Sequence, residues 1–173
     1  MKRDVHPRYP LGPALDFLER TWRVNHAMQR MSNRMARDLG LTGPQRLVVR
    51  CIGKYPGLPA SQLATILHLD RGTISAAVNR LEHRGLIERR ADPSDGRRVT
   101  LGLTAEGRAK DRPTASTIES TVEHLLRNTP ASDLEATSRV LGALAEALER
   151  EADQLGPDVT TAAPEVAVKD RGV

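Results

Sequence analysis

Apolar residues recur at helical spacing over most of this chain and switch to strict alternation only once. Ile74, Ala77, Val78 and Leu81 stand at i, i+3, i+4 and i+7, which puts them on one face of a helix. Just before them, Leu63, Ala64 and Leu67 make the inner face of a shorter helix, and Leu69 is expected to fill the corner between the two. Ala64 and Ala77 are small enough for the helices to cross closely, and Asp70 is suited to cap the second one. The period then changes to two. Val99, Leu101 and Leu103 alternate with Arg98, Thr100 and Gly102, the pattern of a half-buried strand, and Leu86 to Arg90 supplies the partner strand. Two short helices across a tight turn, followed by a hairpin with an arginine-bearing tip, predict a winged helix-turn-helix. That shape enters DNA grooves.

The flanking segments read as helices. Residues 1–11, with Pro7 and Pro10, form an irregular arm. Pro13 suits a first helical turn, and the helix it opens runs to about Leu39 and stops at Gly40. Leu11, Leu15, Leu18 and Trp22 lie on one stripe of it, and Phe17, Val24, Met28, Met31, Met35 and Leu39 on another. Two stripes call for two neighbours, the domain's own core and a second subunit. Trp22 and the three methionines are expected in the core. Thr42-Gly43-Pro44-Gln45 has capping-box spacing and opens a helix with Leu47, Val48, Cys51 and Ile52 facing inward. The stretch from Tyr55 to Pro59 breaks it.

After the hairpin, Thr104 caps another helix, with Glu106 in its first turn, and Pro113 should kink or split that helix. Thr129-Pro130 starts a last helix in which Leu134, Leu141 and Leu148 recur at seven, with Ser138, Leu144 and Ala145 on the same face. The fold class is therefore mainly α with a small β-hairpin wing. Residues 12–40 and 104–155 form a helical dimerisation region, 41–103 a DNA-binding lobe, and 156–173 a disordered tail.

Composition narrows the chemistry. The 173 residues carry a formal charge of +4 and only 2% aromatic side chains, with a pI near 9.7. A basic balance suits an acidic partner, and few rings argue against stacking on single-stranded nucleic acid. One cysteine allows neither an internal disulfide nor a thiolate-rich zinc site. The N-terminus lacks an apolar signal core, and no run approaches the roughly 18 apolar residues of a membrane span. A cytoplasmic protein without a membrane is expected.

The outer face of the second short helix carries Arg71, Gly72, Thr73, Ser75, Ala76, Asn79 and Arg80. The small residues let backbone approach base edges, hydroxyls read donors or acceptors, and an arginine can pair bidentately with guanine. Arg80, His83 and Arg84 are suited to phosphates. Ser61 and Arg98 complete the candidate contact set. At the hairpin tip Arg97 is suited to a narrow minor groove, with Asp95 holding it extended.

With LTGPQRLVVRCI, SQLATIL, LDRGTISAAVNRLEHRGLIER, DPSDGRRVTLGLT and TAEGR in view, residues 14–155 resemble the MarR family of dimeric bacterial transcription regulators. The resemblance implies a homodimer whose first and last two helices interlock, with Arg71, Gly72, Thr73, Ser75, Ala76 and Asn79 in or beside the major groove. It implies Arg97 as a minor-groove finger with Asp95 as its ion-pair partner, and repression relieved in many members by small aromatic acids, oxidants or metals. This chain departs from the pattern at His68, where such corners commonly hold glycine, and at Pro113, inside what is usually a long linking helix.

Other chemistry finds little footing. Cys51 sits on an apolar helix face, where a thiol packs rather than senses. His6, His26, His68, His83 and His124 are scattered without metal-ligand spacing, so neither metal nor cofactor is expected. Trp22, His26 and Arg30 share one face of the first helix and could line a pocket for a small anionic or aromatic ligand, although packing and solvation account for them as well. No nucleophile motif, phosphate loop or carboxylate pair suggests an enzyme. The alternative to a regulator of double-stranded DNA is a winged module that binds an acidic protein surface.

Overall fold

The computed structural model of the chain describes residues 11–92, 95 and 98–155. The N-terminal arm, the C-terminal tail and Arg97 lie outside the described residues. The elements run α1 (Pro13–Asp38), α2 (Gly43–Lys54), α3 (Ala60–Leu67), α4 (Arg71–His83), β1 (Ile87–Ala91), β2 (Val99–Leu103), α5 (Ala105–Asp111), α6 (Ile118–Leu126) and α7 (Ala131–Leu155). The strands pair antiparallel, with Ile87 opposite Leu103 and Ala91 opposite Val99. The chain divides into two compact units, one ending at Glu123 and the other beginning at His124. No helix among the described residues is long and apolar enough to cross a membrane.

The first unit is built on the expected local signals. Thr42 accepts from the Gln45 amide while the Gln45 side chain accepts from the Thr42 amide, a complete capping box. Asp70 accepts from the Thr73 amide at 2.8 Å and starts α4. Thr104 accepts from the Gly107 amide at 3.0 Å and starts α5. His68 closes α3 in the left-handed region, at φ 50° and ψ 45°, and the Leu69 amide reaches back to the Ala64 carbonyl. A histidine thus fills the role of a corner glycine.

Val48, Val49 and Ile52 of α2, Leu63 and Ala64 of α3, Ile74, Val78 and Leu81 of α4, and Leu86, Ile87, Leu101 and Leu103 of the wing form one core. The wing is seated on it: Leu101 of β2 exchanges backbone hydrogen bonds with Gly57 and Leu58, just ahead of α3.

Several expectations need correction. Leu47 was expected inward and is 53% exposed, while Val49 and Arg46 are buried. α2 packs on two sides, so Arg46 and Arg50 turn toward α5 and the apolar face rotates by one position. Leu69 is exposed rather than filling the corner, because the left-handed turn at His68 uses its backbone and leaves its side chain outside. Val99 is exposed and Thr100 buried at the start of β2, where the Thr100 hydroxyl donates to the Arg90 carbonyl. In α1 only Ser32 and Met35 are buried; Trp22 is 69% exposed and Met28 48%, so neither belongs to the core of a single chain.

Pro113 does split its helix: α5 ends at Asp111 and α6 begins at Ile118. Two arginines of α2 take up the carbonyls freed at the break. Arg46 donates to the Lys110 carbonyl at 2.6 Å and the Arg112 carbonyl at 2.9 Å, and pairs with Glu119 of α6. Arg50 donates to the Asp111 carbonyl and pairs with its carboxylate. Lys110 and Arg84 in turn donate to the Leu39 and Gly40 carbonyls after α1, where cations suit the helix dipole.

The second unit contains α7. Its Val140, Leu141, Leu148 and Leu155 are exposed, and none of its residues is buried.

Candidate nucleic-acid interface

Ile74, Val78 and Leu81 anchor α4 in the core, so 3.6-residue geometry fixes what the opposite face presents. Gly72, Ser75, Ala76, Asn79 and His83 run down its exposed side, flanked by Arg71, Thr73 and Arg80. After Arg71 at the very start of the helix, the side chains are short over the first two turns and lengthen again from Asn79 onward. Such a taper lets the helix N-terminus lie deepest in a groove.

The first turn is held rigidly. Asp70 accepts from both the amide and the hydroxyl of Thr73, and these bonds, the hydroxyl first, hold its carboxyl below the ordinary carboxylate range. A carboxylate with a lowered folded pKa contributes stability above its unfolded pKa and loses it as pH falls through the folded value. The α4 first-turn resonances are therefore expected to move with pH below the ordinary carboxylate range. The same titration of Asp70→Asn should be flat there. Thr73 donates its one hydroxyl hydrogen to Asp70, so an acceptor oxygen and a methyl are what it has left to offer.

Ser61 and Arg71 come together at the helix-turn-helix corner, where a groove of about 440 Å³ is lined also by Gln62, Thr65, His68 and Leu69. Arg80 and Arg98 are exposed. Asp95 forms an ion pair with Arg98 at 3.3 Å. The expected pairing of Asp95 with Arg97 lies outside the described residues. Arg84, expected at phosphates, has its guanidinium on the Gly40 carbonyl.

Sequence reasoning missed Arg89 of β1. It donates to Asn79 Oδ1 at 2.7 Å and pairs with Glu82, tying the wing to the recognition helix. The available signal was strand parity: Arg89 shares the face of buried Ile87, which looks toward α4.

The ligand candidates fare differently. Trp22, His26 and Arg30 all stand exposed on α1. A cavity of about 210 Å³ beside the α5–α6 break is lined instead by Arg50, Pro113, Thr114, Ala115, Glu119, Ser120 and Glu123. Burial pushes the Cys51 thiol up, against a smaller opposing effect of Lys54, which leaves little thiolate for redox chemistry. Among the described residues no cluster of His, Cys, Asp or Glu could hold a metal ion.

This geometry has known counterparts. The MarR family model matches residues 41–99, from the start of α2 to β2. Transcriptional regulator HosA of Escherichia coli O111:H- is 40% identical over 67 residues, 39% of this chain and 50% of HosA. The HTH-type transcriptional regulator TtmR of Methylorubrum extorquens is 35% identical over 83 residues, 48% of this chain and 43% of TtmR. The chain thus spans about half the length of these curated relatives. The crystal structure of the transcriptional regulator PcaV from Streptomyces coelicolor with its natural ligand is 29% identical, with a TM-score of 0.60, over 86% of this chain and 97% of PcaV. The lobe matches by sequence and the flanking helices by structure: this chain belongs to the MarR family of winged helix-turn-helix regulators.

Proposed function

We propose that the protein is a homodimeric, sequence-specific DNA-binding repressor of transcription that acts in the cytoplasm on a palindromic operator. The carrying observation is the exposed face of α4, small at its N-terminus and polar or cationic beyond, beside a wing that bears Arg89, Arg90 and Arg98. Ser61, Arg71, Gly72, Thr73, Ser75, Ala76, Asn79 and Arg80 read or approach the major groove. Arg97, Arg98 and Asp95 belong to the wing's approach to the minor groove. The exposed apolar residues of α1 (Leu15, Phe17, Trp22, Val24 and Met28) and of α7 (Leu141 and Leu148) support a second copy as their cover.

Two such lobes in one dimer read half-sites about one helical turn, roughly 10 bp, apart. A small ligand releases the DNA in this reading; PcaV, a structural relative, was solved with its natural ligand. The cavity at the α5–α6 break and the Trp22, His26 and Arg30 face are the places to look for one.

The test is an anisotropy titration of the full chain against duplexes selected from genomic fragments. Affinity should exceed that for random duplex and fall steeply with salt as phosphate contacts release counterions. Ala76→Glu, a helix-compatible change at the centre of the face, should weaken specific binding about tenfold or more by setting a carboxylate against phosphates, with melting unchanged. Equal affinity for selected and random duplex would reject the reading.

A further inference from the structure

The contact between Arg89 and Asn79 has a consequence for which base pair the recognition helix accepts. Resting on the DNA-binding reading above, we propose that Arg89 is a positioning residue. It locks the Asn79 amide with its oxygen toward the wing, so that Asn79 meets DNA as a donor only and prefers guanine to adenine.

A free asparagine reads adenine with both ends of its amide: the oxygen accepts from N6 and the nitrogen donates to N7. Here Arg89 Nη2 donates to Oδ1 at 2.7 Å, which takes one of the oxygen's two lone pairs and turns the oxygen toward the wing. The orientation is dictated by chemistry, since a guanidinium has five donors and no acceptor and can bind only the oxygen of an amide. Arg89 is itself held from behind by its ion pair with Glu82, one turn further along α4. Both partners are fixed on rigid elements, Asn79 on α4 and Arg89 on β1, whose backbone register against β2 sets Arg89 opposite Leu101.

With its oxygen turned to the wing, Asn79 has its NH2 group to offer a base, and the residue lies on the exposed side of α4 in line with Gly72, Ser75 and Ala76. In the major groove guanine offers two adjacent acceptors, N7 and O6. Thymine offers one, adenine offers one beside a donor, and cytosine offers only a donor. A donor-only side chain therefore selects guanine first and rejects cytosine. Adenine loses the advantage that a free asparagine would give it.

The experiment is selection of bound duplexes from a randomised library by the full-length protein, with four variants run in parallel. Asn79→Ala identifies the contacted position as the one whose preference it loses. At that position the wild type should enrich guanine over adenine. Arg89→Met frees the amide and should raise adenine relative to guanine on the order of fivefold or more, the scale of one bidentate contact. Arg89→Lys, still a pure donor to the amide oxygen, should keep the guanine preference. Asn79→Asp keeps the pairing with Arg89 but presents acceptors, and should move the preference to adenine or cytosine, which tests the inference even if Arg89→Met does not fold.

A wild type that enriches adenine at the Asn79 position overturns the inference. So does an Arg89→Met protein that binds the operator with unchanged preference, or an Asn79→Ala protein that loses preference nowhere. A wild type that enriches no sequence at all overturns the DNA-binding reading itself, and the two failures are thereby distinguished.

Discussion

Arg46→Met should lower the free energy of unfolding by about 3 kcal/mol, the lower end of what breaking a buried ion pair costs. The Arg46 side chain is 3% exposed and Glu119 is 31% exposed. Its three nitrogens serve Glu119 and the Lys110 and Arg112 carbonyls. Methionine keeps the apolar stem and fills most of the volume, so the loss is polar rather than a cavity. The stranded group is the Lys110 carbonyl, which has no next helical turn to serve it once α5 ends; the Arg112 carbonyl keeps the Thr114 hydroxyl at 2.9 Å. Glu119 can turn toward water, and that holds the effect near 3 rather than 5 kcal/mol. Urea unfolding should show a lower midpoint with an unchanged slope. Arg50→Met is the comparison. Its ion pair is 35% and 24% exposed on the two sides, and a loss of about 1 kcal/mol or less is expected there. Equal losses for the two variants would mean that the clamp on the break does not depend on the buried arginine.

That clamp marks where the sequence stopped being legible. The winged lobe could be read because its signals are local: Asp70, Thr42 and Thr104 cap within three residues, and the shift from period 3.6 to period 2 falls at the wing. Pro113 predicted the break for the same reason, as a property of one residue. Arg46 could not be read, since its partners lie 64 to 73 positions away and an arginine on a helix looks solvated until its neighbours are known. The phase error at Leu47 has the same origin, because a helix buried on two sides does not show one clean apolar stripe. Trp22 and Met28 were misplaced for another reason: apolar spacing reports that a face wants a neighbour, not whether the neighbour belongs to the same chain. Within the interface the exposed face of α4 followed directly from its core positions. The link from Arg89 to Asn79 required the hairpin register and the packing of wing on helix.

Gly107→Ala should destabilise the fold by about 3 kcal/mol or more, beyond the usual range for overpacking because the obstacle is backbone. Elsewhere in a helix the same change stabilises by about 0.5–1 kcal/mol, so the sign itself is diagnostic. A Cβ at Gly107 would stand 1.9 Å from the Leu86 carbonyl oxygen and 3.4 Å from Leu103 Cβ. To reach ordinary contact, near 3.4 Å, α5 would have to retreat by about 1.5 Å. Three bonds oppose that. The Thr104 hydroxyl donates to the Gly85 carbonyl at 2.5 Å, its amide donates to the Leu86 carbonyl at 3.2 Å, and Arg108 donates to the Leu103 carbonyl at 2.7 Å. Leu86 joins the recognition helix to the wing, so moving its carbonyl tilts β1 against α4 and disturbs the seat of Arg89 on Asn79. Operator affinity should therefore fall in Gly107→Ala even at temperatures where the protein is folded. Gly142→Ala in α7, where an added Cβ meets nothing within 4 Å, is the control and should leave the wing untouched. Thermal melting and anisotropy on the two variants decide the matter: a Gly107→Ala protein as stable as the wild type would mean that α5 does not press on the hinge between reading helix and wing.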